Sequence, residues 1–194
     1  MHLYAMKGFL FENKGFTQTI LKNTFWLVLA EVISRLVLAI AFIYAARVLG
    51  PSGYGELSFA FAFASLFVMI GDAGISMIIT REFSQRKIAR EELMSLLSLK
   101  TVLSVGITAM LILSSLLFVK EVEARKIIWF LGGYVVAESF SEMIFAIFRA
   151  YQKMEHEAIA RICRVVIAGG LFLWILFSAP FGQYLALGYS VAYL

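Results

Sequence analysis

The sequence predicts an all-α integral membrane protein, a polytopic bundle of five to six transmembrane helices, and three observations carry that prediction. Hydrophobic residues make up 61% of the 194 and charged residues 15%, whereas a soluble domain has roughly 45–50% and 25%. The apolar stretches run about twenty residues or more, and at 1.5 Å per residue that length crosses the ~30 Å hydrocarbon core. They are not alternating segments of about ten residues, which excludes an outer-membrane barrel. The alternating FAFAFA at Phe59–Ala64 sits inside a long apolar run. Phe59, Phe63 and Phe67 also recur at four-residue spacing, so it reads as helix.

Residues 1–23 mix Leu3, Tyr4, Phe9, Leu10, Phe11 and Phe16 with Lys7, Glu12, Lys14 and Lys22. This is either an amphipathic segment lying in the membrane interface or a frayed terminus with aromatic anchors. The charges, and the lack of a small-residue cleavage site, argue against a cleaved signal peptide. The transmembrane bundle is expected over 24–194. Its first span, 24–48, carries Glu31 and Arg35 four residues apart on one face, with Ser34 nearby. A bare charge at the centre of a span costs about 2.5–3.5 kcal/mol, so this face should meet protein or water. The cluster Gly50-Pro51-Ser52-Gly53-Tyr54-Gly55 reads as a tight turn between antiparallel spans.

The second span, 57–79, holds Asp72 between Gly71 and Gly74 and leaves through Arg81, Glu82, Arg86 and Lys87. Asp72 reads as a structural carboxylate, pairing with Arg35 or capping a break at Gly71; the alternative is a site for a coupling cation or proton. The third span, 93–119, has Lys100 near its start and small hydroxyl residues that permit close packing. Along the fourth, 127–150, Glu138, Glu142, Phe145 and Arg149 fall in one stripe. Glu138 and Glu142 could share a proton, or each could pair with Lys100, Arg149 or Arg164. Tyr151 to Glu157 reads as a polar turn. The fifth span, 158–177, has Arg161 and Arg164 in its first turns. Trp26, Trp129, Tyr134 and Trp174 read as interfacial anchors. The sixth, 184–194, stops after about 16 Å, half a crossing, which predicts that this chain is the front part of a longer protein.

Lys and Arg crowd the segments at the N-terminal end of the spans, so the N-terminus is expected in the cytoplasm. The net charge of +4 then reports topology, and no nucleic-acid partner is expected. Lone Cys163 forms no internal disulfide and no paired-thiol metal motif. No phosphate loop, His-x-x-x-His pair or Ser-His-Asp set is present, so neither catalysis nor a metal or other cofactor is expected.

The elements Arg47, Leu49, Gly50, Pro51, Tyr54, Gly55 and then Asp72, Gly74, Thr80, Arg81, Glu82, in this order and at this separation, resemble the oligosaccharide flippases of polysaccharide biosynthesis. These belong to the multidrug/oligosaccharidyl-lipid/polysaccharide exporter superfamily. The resemblance is strongest over residues 20–90. It implies a two-lobed bundle of which this chain is about the first lobe, with a missing C-terminal lobe or partner chain. It also implies alternating-access translocation of a polyprenyl-linked oligosaccharide across the cell membrane. A cation-coupled drug exporter of the same superfamily and a non-transporting membrane scaffold subunit are the alternatives.

Counted from the N-terminal end of the bundle, Glu31, Arg35, Asp72, Lys100, Glu138, Glu142, Arg161 and Arg164 fall at similar depth. That predicts one shared polar layer, a hydrated cavity in the cytoplasmic half. Arg35, Arg161 and Arg164 are the candidate donors to a phosphate-linked head group, because a guanidinium fork suits phosphate. Glu31, Asp72, Glu138 and Glu142 are the coupling or structural acids, and they leave the layer nearly balanced in sign.

Overall fold

A computed structural model describes residues 16–72, 74–85, 89–178 and 189–190. Among the described residues there are five long helices and no strand: α1 (Phe16–Asp72), α2 (Ile75–Gln85), α3 (Arg90–Phe118), α4 (Val122–Ala150) and α5 (Met154–Ser178). The last third of the N-terminal segment, including Lys22 and Asn23, is already α1. Residues 1–15 and most of the predicted sixth span lie outside the described residues.

α1 has 57 residues and, if straight, would run about 85 Å. It folds back instead: the rings of Phe42 and Phe61 lie 5.5 Å apart. The reversal sits at Gly50, with φ 68° and ψ −179°, a region open essentially only to glycine. Pro51 then opens the second arm, where its fixed φ and missing N–H suit the first helical position. The turn is thus tighter than the sequence predicts. Gly50 alone absorbs the change of direction, and the second arm starts at Pro51 and not near Leu57.

A second break, at Gly74 (φ 77°), separates the second arm from α2. The Gly74 carbonyl accepts N–H bonds from Met77 (3.1 Å) and Ile78 (3.2 Å) and restarts the helix. The break expected at Gly71 is absent, since Gly71 is helical and its missing Cβ admits Ile107.

With the reversal at Gly50, the legs alternate in direction. The first arm and α5 run parallel, since Lys22 meets Glu155, Phe42 meets Phe172 and Tyr44 meets Phe177. α4 is the spine. Ile127, Ile128, Leu131 and Val135 share a core with Ala41, Ala45, Leu57, Ala60 and Ala64 of the α1 hairpin and with Ala168, Phe172 and Leu176 of α5. Alanines on both arms let the backbones approach closely. Lower on α4, Met143, Ala146 and Ala150 bury Ile75, Ile79 and Phe83 of α2.

Tyr134 joins Phe42, Phe61, Phe172 and Tyr189 in an aromatic cluster inside the bundle, so it is not the interfacial anchor the sequence suggests. The outward surface carries Met69, Leu117, Phe118, Trp174 and Phe177, an apolar exterior suited to lipid. Among the described residues, four helical runs are long and apolar enough to cross a membrane, the first containing both arms of α1. The protein is an all-α, multi-pass membrane bundle.

Candidate functional site

The turn from α4 to α5 sets the geometry of the site. Gln152 takes a left-handed φ of 54°, Gln152 N–H donates to Arg149 O (3.0 Å) and Lys153 N–H donates to Phe148 O (3.0 Å). This is the Schellman pattern, which satisfies the last carbonyls of α4 and turns the chain back at once. α5 therefore starts at Met154, and Glu155 and Glu157 are helical first-turn residues and not part of a turn.

Antiparallel pairing then brings one charged stripe of α4 against one of α5. Arg149 lies 3.3 Å from Glu142 and 3.8 Å from Glu157. Arg161 lies 3.1 Å from Glu157 and 3.5 Å from Glu142. Deeper in the bundle, Arg164 forks onto Glu138, with Nη1–Oε2 at 2.8 Å and Nη2–Oε1 at 3.3 Å. The result is three arginines and three carboxylates, balanced in sign. Buried Phe145 sits among them, with the guanidinium carbons of Arg161 and Arg164 each 5.1 Å from its ring centre. At that distance the ring attracts both cations and helps hold them in place. Two enclosed donors, Arg149 Nε and Arg161 Nε, and one acceptor, Glu157 Oε2, have no hydrogen-bond partner among the described residues. The site therefore holds polar capacity beyond its own pairs.

A second polar island adjoins this one. Lys100, 0% exposed, pairs with Asp72 Oδ1 at 3.4 Å and donates to Gly71 O at 3.4 Å. Ser76 Oγ donates to the same Asp72 oxygen (2.5 Å). One turn along from Lys100, Ser104 bonds Ser139 (3.2 Å), the neighbour of Glu138. The two islands sit on adjoining faces of α4, about 100° apart as Ser139 is from Glu138. The partner of Asp72 is Lys100 and not Arg35.

Arg35 stands apart from both. It bonds Glu31 at 2.6 Å on the first arm and is 79% exposed. A third pair, Lys22–Glu155 at 3.2 Å, ties the foot of the first arm to the start of α5, with His156 3.8 Å from Glu155.

Two members of the main network lie outside the predicted site residues: Arg149, read only as part of the α4 stripe and a partner for its acids, and Glu157, read as part of a turn. The four-residue spacing of Glu157 to Arg161 was the available signal. Lys22 and Glu155 carried no such signal, because they meet only through the packing of two distant helices. Two surface grooves, one lined by Ile78, Glu82, Glu91 and Glu92, the other by Glu56, Phe59, Lys120 and Glu121, contain no arginine of the network.

No curated protein and no solved structure matches the chain. The sequence model of a family described as polysaccharide biosynthesis protein matches residues 20–194, which takes in every element of the fold and all of the charged network. A membrane bundle of this kind, matched over nearly its whole length, belongs to the polysaccharide biosynthesis protein family.

Proposed function

We propose that the protein moves a polyprenyl-linked oligosaccharide across the cytoplasmic membrane by alternating access. In this reading the described bundle is one lobe, the Lys22–Glu155 end faces the cytoplasm, and a second lobe or partner chain completes the path. The observation that carries the reading is the arginine network between α4 and α5 in a membrane protein of polysaccharide biosynthesis. Charges at membrane depth are costly and mark substrate or ion paths. Guanidinium forks held beside Phe145 suit the phosphate that joins sugar to lipid. Arg161 and Arg164 are the head-group donors. Arg35, exposed beside Glu31, contributes from the side of the first arm, where an ion pair at this depth requires water or protein and not lipid. The work is transport: the chain's own residues bind and orient a head group and make or break no bond in it.

The test is replacement of Arg35, Arg161 and Arg164 singly by Gln in the intact protein, with surface polysaccharide measured at matched protein levels. Each replacement lowers export, Arg161→Gln and Arg164→Gln by about tenfold or more, the scale of one lost charge-assisted bond. Full export by all three variants overturns the reading.

A further inference from the structure

A carboxylate and a phosphate group present the same pair of oxygens to a guanidinium fork. In this structure the fork of Arg164 is already filled, by both oxygens of Glu138. We infer that Glu138 is a resident stand-in for the phosphate of the ligand. A phosphate- or diphosphate-bearing lipid docks on Arg164 by displacing the Glu138 carboxylate, and that displacement sets the affinity of the site. The inference rests on the assignment of Arg161 and Arg164 to the head group.

Glu138 is singled out by its place in the network. Glu157 is completely enclosed and touches both Arg149 and Arg161. Glu142 touches the same two arginines. Releasing either would leave two arginines to share one carboxylate in a low-dielectric site, whereas Glu138 and Arg164 pair one to one, so that an incoming phosphate replaces the carboxylate it displaces. The Phe145 ring lies beside both Arg161 and Arg164. When Glu138 leaves, the Arg164 guanidinium keeps its place beside that ring and receives the incoming anion.

Exchange is favoured over simple addition by charge. The six groups sum to zero, so an added phosphate would bring uncompensated negative charge into an enclosed site. Exchange removes one negative charge as the phosphate enters; the displaced carboxylate either turns to water or takes a proton from it. Arg161 Nε, on the next turn of α5 from Arg164 and without a partner among the described residues, offers a further bond to a phosphate's third oxygen.

The experiment measures binding of geranyl diphosphate and, separately, inorganic pyrophosphate to the purified intact protein by titration calorimetry. Glu138→Gln binds about tenfold more tightly than the native protein, because the competing charge is gone while the shape is kept. Arg164→Gln binds at least tenfold more weakly. Tightening for both probes places the exchange on the phosphate group itself; tightening for geranyl diphosphate alone shows that the lipid chain is also needed, and either result supports the exchange. Equal or weaker binding by Glu138→Gln, with Arg164→Gln weakened, overturns the exchange and leaves the head-group assignment standing. Native-like binding by both Arg161→Gln and Arg164→Gln overturns the two together. If Glu138→Gln does not fold, Glu138→Asp is read in its place. It is one methylene shorter, reaches the fork less well and must also bind more tightly.

Discussion

Lys100 and Asp72 show what a single residue contributes at depth. The lysine is fully enclosed, so its charge depends on Asp72 Oδ1 and Gly71 O, both at 3.4 Å. Asp72 keeps partial exposure and a second bond from Ser76. The two single replacements are therefore unequal. Asp72→Asn leaves an enclosed cation without its counter-charge and costs about 3–5 kcal/mol, whereas Lys100→Met leaves a carboxylate that water can reach and costs less. The double replacement restores more than half of the Asp72→Asn loss, because a neutral pair has no charge to strand. Thermal unfolding of the four proteins in detergent measures this cycle; equal losses for the two singles would show that the pair is not the main support of either residue.

Among the elements, the parallel contact of α5 with the first arm is the tightest at any described glycine. A Cβ added at Gly169 would lie 2.6 Å from Val37 Cγ1, whereas one added at Gly170 meets nothing within 4 Å. Val37 is β-branched and stiff, so it cannot swing aside. Gly169→Ala is therefore destabilising by about 1–3 kcal/mol, the cost of overpacking. Gly170→Ala is neutral or stabilising by up to about 1 kcal/mol, since alanine is the better helix former. Val37→Ala restores stability to Gly169→Ala. Melting temperatures in one detergent decide it; a Gly170→Ala loss as large as that of Gly169→Ala would contradict the packing. The reversal in the α1 hairpin is a matter of backbone conformation at Gly50. Gly50→Ala has room for its methyl group, so its cost of about 1–3 kcal/mol comes entirely from the glycine-only φ and ψ.

At the scale of the whole molecule, the helices fix which residues share an end. Gly55, Glu56 and Phe59 of the second arm line one groove with Phe118 to Glu121, so Ser52 and Glu123 lie at the same end. Phe83 packs in the cluster that contains Ala150, which sets Gln85 and Lys153 at the other. All four positions are exposed. With the N-terminus in the cytoplasm, single cysteines at Ser52 and Glu123, in a background with Cys163 replaced by Ser, react with an impermeant thiol reagent from outside. Cysteines at Gln85 and Lys153 react only after the membrane is opened. External labelling at Gln85 would invert the orientation.

Much of this architecture is written in local chemistry. Hydropathy and segment length determined that the chain is a helical membrane bundle, because lipid requires every backbone group to be satisfied within a helix. Gly50-Pro51 determined where the first helix reverses, since glycine opens the turn and proline restarts the helix. The stripe of Glu138, Glu142, Phe145 and Arg149 was legible from helical periodicity, and Glu31 with Arg35 from four-residue spacing. Tertiary structure alone decided the partners. Whether Asp72 meets Arg35 or Lys100, whether Lys22 sits in the interface or against Glu155, and which carboxylate fills the fork of Arg164 all depend on the rotation and register of helices distant in sequence. Periodicity names the face a residue occupies on its own helix, but only the packing of small residues such as Gly169 against Val37 determines which face of the next helix it meets.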